Sequence, residues 1–216
     1  MSLTIISLKS GTDVSRIELS DGSLFSYKPC YLSSAYIADD YAIGREINAD
    51  EEEAFRFASA CLRAEKRALQ LIARAEQTAF GLSRKLKKRG HDTACINAVT
   101  AQLCALNLLD DRRYARLWLE SRISRQATSP RRLLAALRSR GIDRHDAEAA
   151  LKETLDDEAE QQLLERYVQK LRRKGNVADD ADNDPEGANS AILRSLRYTL
   201  KNEGFSSPAI EIVLDL

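Results

Sequence analysis

The chain has 216 residues, 31% of them charged, with only nine glycines and four prolines. That balance, rich in Leu, Ala, Arg and Glu, describes a folded helical chain able to bury a core and argues against an all-β fold. Lys+Arg and Asp+Glu stand at 33 each, yet Arg112 to Arg144 holds ten arginines against two acidic residues, a net of +8, while the residues after it are net acidic; the neutral average conceals a dipolar surface.

Along the chain, Ile5 to Lys9 and Val14 to Leu19 are short runs rich in β-branched and apolar residues, separated by Ser10-Gly11-Thr12-Asp13. Asp21-Gly22 then precedes Leu24 to Tyr27. These signals predict a two- or three-stranded antiparallel meander, which needs helices to pack on. Pro29 ends the last strand, and Tyr31, Tyr36 and Tyr41 are expected to line the junction.

From Asp50 onward the apolar periodicity is helical. Asp50 to Glu53 supplies the negative charge that a helix N-terminus favours, and Phe55, Ala58, Leu62, Leu69 and Ile72 recur at helical spacing. Further helices are predicted near 79–89, 93–106, 111–126, 130–140, 144–155, 157–174, 189–203 and 207–215. Gly90, Gly141, Gly175 and Gly204 sit where left-handed C-terminal caps belong, and Ser129-Pro130 reads as an N-cap followed by a first-turn proline. The polar stretch 176–187, Asn-Val-Ala-Asp-Asp-Ala-Asp-Asn-Asp-Pro-Glu-Gly, breaks the periodicity and reads as an acidic loop.

Three of the glycines anchor an internal repeat. Leu86, Leu137 and Leu200 each stand four residues before Gly90, Gly141 and Gly204. Ile96 and Val99, Ala147 and Ala150, and Ile210 and Val213 follow the same glycines by six and nine residues. Each copy is therefore a helix that stops at glycine, a turn anchored by the next residue, and a second helix using i, i+3 inward positions. Units this small must share cores with their neighbours, which implies tandem three-helix repeats in an elongated array. The expected parts are an N-terminal β region over 1–48, a first repeat over 49–109, a basic second repeat over 110–156, and a third over 157–216 carrying the acidic loop.

Cys30, Cys61, Cys95 and Cys104 are scattered, with only His91 and His145 to join them, so free and largely buried thiols are expected, with no metal and no cofactor. Phosphate-binding, dinucleotide-binding and catalytic-triad motifs are lacking, so no catalytic residues are assigned. The basic residues are the candidate binding set: Arg112, Arg113, Arg116, Arg122, Arg125, Arg131, Arg132, Arg138 and Arg140, with Lys85, Lys87, Lys88 and Arg89 ahead of Gly90. Arginine's planar fork suits carboxylates and phosphates alike, so an acidic protein groove and a nucleic-acid backbone both remain candidate partners. No run approaches the roughly 20 apolar residues that cross a bilayer, and no basic flank with an apolar run opens the chain, so a cytoplasmic protein with no membrane partner is expected.

The string Leu109-Asp110-Asp111-x-x-Tyr114-Ala115-x-x-Trp118-x-x-x-Arg122, followed by Pro130-Arg131-Arg132-Leu133 and Leu137-x-x-x-Gly141-Ile142, resembles the core of the RecX family. The resemblance covers roughly residues 65–216. It implies three three-helix repeats, without enzymatic activity, that bind the groove of the RecA–DNA filament and modulate, most often inhibit, strand exchange, ATP hydrolysis and SOS co-protease activity. It further implies weaker affinity for single- or double-stranded DNA, and the chain is expected to act as a monomer. A helical DNA-binding protein acting without RecA is the alternative. The sequence departs from the family pattern at Thr128-Ser129, where a glycine usually precedes the Pro-Arg segment, and in its acidic insertion.

Overall fold

In a computed structural model, the structure describes residues 3–33, 36, 41–173 and 187–214, with the backbone alone at 187–191. The chain divides into two units, Met1–Asp110 and Asp111–Leu216.

The first unit opens with an antiparallel sheet of β1 (Leu3–Lys9), β2 (Ser15–Leu19), β3 (Leu24–Tyr27) and β4 (Glu46–Ile47), in the order β3-β2-β1-β4. Ile5 pairs with Leu19 and Ile17 with Phe25, which turns Ile5, Ile17 and Leu19 inward to full burial. The fourth strand goes beyond the two or three strands predicted. Only two residues long, it pairs Leu3 with Ile47 and has no room for an alternating pattern.

The sheet packs on α1 (Ala49–Ile72). Asn48 starts this helix with a capping box: its side chain accepts from the Glu51 N–H at 2.9 Å, and the Glu51 carboxylate accepts from the Asn48 N–H at 2.8 Å. Phe55 is fully buried against the rings of Tyr27 and Tyr41, and Tyr31 and Tyr36 join the same core. Leu69, expected on the inward stripe, is instead exposed, and Ala68 takes the buried position beside it. The inward face also carries Glu65, 2% exposed, whose carboxylate accepts from the Lys28 ammonium at 2.9 Å; Lys28 donates to Asp13 as well. A buried carboxylate is tolerated only when paired, so this contact fastens the end of β3 to α1.

Two further helices, α2 (Ala79–Lys87) and α3 (Thr93–Ala105), complete the unit. None of the four cysteines forms a disulfide, but only Cys61 and Cys95 are buried; Cys30 and Cys104 are exposed, because they lie on a short 3-10 turn and on the outer side of α3.

In the second unit, α4 (Asp111–Arg125), α5 (Pro130–Arg138), α6 (Arg144–Thr154), α7 (Asp157–Arg173), α8 (Gly187–Asn202) and α9 (Ser207–Val213) share one apolar cluster running from Ala115 to Ile210. The predicted acidic loop, except for Gly187 at the start of α8, and the cap expected at Gly175 fall outside the described residues.

The glycine anchors recur in the backbone. Gly90, Gly141 and Gly204 have φ of 80°, 85° and 90°. In each copy the N–H of the next residue reaches back to the leucine carbonyl four residues before the glycine: His91 to Leu86, Ile142 to Leu137, Phe205 to Leu200, at 3.2–3.4 Å. This is the Schellman closure, and it explains why those leucines are fully buried. Two residues after each glycine, Asp92, Asp143 or Ser206 caps the following helix with its side chain. No described helix is long and apolar enough to cross a membrane.

Candidate binding surface

The arginine positions on α4 follow from its core stripe. Ala115, Leu119 and Ile123 are buried at i, i+4 and i+8, with Tyr114 and Trp118 packed against the same core, so Arg112, Arg116, Arg122 and Arg125 are left on the outside and Arg113 is half-buried. Arg112 pairs with Glu153 of α6. Trp118 gathers two others: the guanidinium of Arg140 lies 4.5 Å from its ring centroid and that of Arg122 lies 5.9 Å away. Cation–π contacts of this kind hold the charges in place while leaving them positive.

On α5 the basic residues divide into two roles. The Arg131 N–H donates to the Glu203 carbonyl at 2.9 Å, and its guanidinium donates to the Asn202 carbonyl at 3.5 Å. Arg132 lies 3.8 Å from the Glu203 carboxylate, to which Ser129, fully buried, donates its hydroxyl. Ser129 thus occupies the cap position expected of it but makes no side-chain cap bond, its hydroxyl being drawn to Glu203 instead. Tyr167 borders this junction, and burial first, then the Glu203 charge, push its phenol above the ordinary value. The Pro130-Arg131-Arg132 segment therefore seats the Gly204 turn. Gly204 is needed there twice over, since its φ is positive and a Cβ would stand 3.3 Å from the Arg131 nitrogen.

Arg116, Arg125 and Arg138 are exposed and have no acidic partner among the described residues. In the first unit, Lys85 donates to the buried Gln77 side chain at 2.6 Å, Arg89 donates to the Lys85 carbonyl at 3.0 Å, and Lys87 and Lys88 stay exposed. The basic cluster ahead of Gly90 is thus partly spent on local contacts and the helix C-terminus. The motif residues Leu109 and Ala115 are buried and Tyr114 and Trp118 partly so, which makes that string mainly a packing signature. In the grouping of ligating side chains at Asp143, His145 and Asp146 the first two are exposed and Asp146 is half-buried, and Asp143 already accepts from the Asp146 N–H at 3.0 Å as a helix cap.

One feature was not foreseen from the sequence. A groove of about 460 Å³ runs between α5 and α6, floored by Leu134, Ala147 and Leu151 and edged by Arg131, Arg138 and Arg144. Its signal was present as two stripes at i, i+3, i+4 and i+7: Arg131, Leu134, Ala135, Arg138 and Arg144, Ala147, Glu148, Leu151.

Residues 110–151, which span α4, α5 and most of α6, match the family model for the RecX second three-helix domain. Among curated relatives, a regulatory protein RecX from Treponema pallidum is 40% identical over 119 residues, covering 55% of this chain and 73% of the relative. A regulatory protein RecX from Mycobacterium avium is 32% identical over 148 residues, covering 68% and 80%. The chain belongs to the RecX family. Solved RecX structures share its fold: a crystal structure of a regulatory protein RecX aligns over 99% of this chain and 100% of its own with a TM-score of 0.69 at 22% identity. RecX from Lactobacillus salivarius aligns over 73% and 96% with a TM-score of 0.58 at 20% identity. The segment matching the RecX second domain is the one that carries nine of the arginines singled out above.

Proposed function

We propose that this RecX-family chain regulates the RecA recombinase by binding the RecA–DNA filament and dampening strand exchange, ATP hydrolysis and the co-protease activity of the SOS response. It does so in the cytoplasm, as a monomer, by binding and not by catalysis, with residues 49–109, 110–156 and 157–216 as its three repeats. The observation that carries the reading is the arginine content of this segment: Arg116, Arg125 and Arg138 are exposed with no acidic partner among the described residues, and Trp118 holds Arg122 and Arg140. Guanidinium groups fixed in this way lose little freedom on meeting carboxylates or phosphates.

The test is RecA-driven ATP hydrolysis on single-stranded DNA with increasing amounts of the chain. Arg116→Ala, Arg125→Ala and Arg138→Ala together should weaken inhibition with helicity unchanged; inhibition that survives all three places the contact elsewhere. A second reading, DNA binding without RecA, is favoured by the exposed Arg116 and Arg125 of the second unit. It predicts tight binding to bare DNA that falls steeply with salt, whereas the chain's zero net charge works against strong affinity of that kind.

A further inference from the structure

The geometry points to the groove between α5 and α6 as a docking site for an acidic peptide segment carrying apolar anchor residues. This rests on the reading that the second unit meets a protein partner, and it assigns one face of that unit to protein instead of DNA.

The groove differs in kind from the rest of the arginine-rich surface. Its floor is apolar, with Leu134 of α5 facing Ala147 and Leu151 of α6, and a volume of about 460 Å³ accommodates the side chains of a short peptide. A phosphodiester backbone has nothing to place against leucine and alanine. A leucine or phenylalanine side chain gains by leaving water there, at ~25 cal/mol per Å² buried.

The rim is charged with one sign in excess. Arg131 and Arg138 lie two turns apart on α5, roughly 10 Å along the axis at 1.5 Å per residue, and Arg144 stands on the opposite wall. The one acidic residue of the lining, Glu148, is taken up by Arg144 at 2.7 Å. Arg138 has no acidic partner among the described residues. Asn202 and Gly204 also line the groove, and their turn is held to α5 by the Arg131 N–H bond to the Glu203 carbonyl, so this part of the lining is fixed before anything binds. Carboxylates at both ends of a peptide with leucines between them satisfy rim and floor together.

The experiment uses the full chain and fluorescence anisotropy with three labelled probes: a peptide of two leucines flanked on both sides by Glu-Asp pairs, the same peptide with both leucines replaced by serine, and a short oligothymidylate. The leucine peptide should bind, and the serine copy should bind about tenfold more weakly or worse. Arg138→Glu should weaken the leucine peptide by about tenfold or more by reversing an unengaged charge. Ala135→Gln, at an exposed helical position that tolerates glutamine, should weaken it by obstructing the groove without changing charge. Equal binding of both peptides, or binding indifferent to Ala135→Gln, overturns the inference, as does an oligothymidylate that outcompetes the leucine peptide from the groove. If no peptide binds while the same sample still inhibits RecA ATP hydrolysis, the groove is wrong and the proposed function stands. If the peptide binds as described and RecA is unaffected, the groove stands and the proposed function falls.

Discussion

Replacing Gly204 by alanine tests whether the turn between α8 and α9 is locked onto the Pro130-Arg131 segment. The backbone there has φ of 90°, and a left-handed conformation costs an L-residue about 1–2 kcal/mol. The new Cβ would also stand 3.3 Å from the Arg131 nitrogen and 3.5 Å from Pro130 Cβ. The nearer neighbour is backbone whose N–H already donates to the Glu203 carbonyl at 2.9 Å, so relief comes at the expense of that bond. Losing a typical intramolecular hydrogen bond adds roughly 1 kcal/mol, for about 2–3 kcal/mol in all. Gly90 supplies the comparison: its φ is 80° but nothing lies within 4 Å of its Cβ position, so Gly90→Ala should cost only the conformational ~1–2 kcal/mol. Urea unfolding followed by far-ultraviolet circular dichroism reads both variants. Emission from Trp118, the chain's single tryptophan, reports the second unit by itself. A Gly204→Ala variant no less stable than Gly90→Ala would refute the docking argument.

Other consequences are equally direct. Lys28→Met leaves the Glu65 carboxylate buried without its cation and should destabilise the first unit by about 3 kcal/mol in urea titrations, and adding Glu65→Leu should recover most of the loss. Burial depresses the Lys28 ammonium, but its bonds to Glu65 and Asp13 outweigh that and raise it above its ordinary value. Because the folded value is the higher, the stability it contributes is complete below the unfolded value of about 10.4 and is lost as pH rises through the folded one; the buried phenols of Tyr27 and Tyr31, also raised by burial, soften both chains at high pH, so the wild type should lose more stability there than the Lys28→Met chain. Trp118→Leu keeps an apolar side chain in the core but removes the ring face from Arg122 and Arg140, and should cost about 1 kcal/mol in urea unfolding; no loss would deny the ring contacts any weight. If bare DNA binds at all, Arg116→Glu and Arg125→Glu should each lower the slope of log affinity against log salt by about 1, and an unchanged slope would remove them from the phosphate contacts.

What the sequence made visible was mainly local. A leucine, a glycine four residues later and a capping side chain two residues beyond it lie within seven positions, so their shared backbone geometry could be anticipated. β4 escaped notice because two residues carry no periodicity, and Leu69 was misplaced because the inward stripe of α1 passes through Ala68 at that turn. The role of Ser129 was hidden by distance: its partner Glu203 is 74 residues away, while an adjacent proline suggested an ordinary cap. Among the candidate binding residues, charge alone could not separate Arg112, paired to Glu153, or Arg131, bonded to Asn202, from the unengaged Arg116, Arg125 and Arg138. The groove was legible as two stripes, yet its arginines merged into the general basicity of the segment until α5 and α6 were seen side by side.

The most direct measurement of the central claim is the rate of RecA ATP hydrolysis on single-stranded DNA as this chain is titrated to stoichiometric amounts. The rate should fall progressively, and the fall should be relieved when Arg116, Arg125 and Arg138 are replaced together by alanine. A rate that stays constant across the titration, with the chain folded and helical, would contradict it.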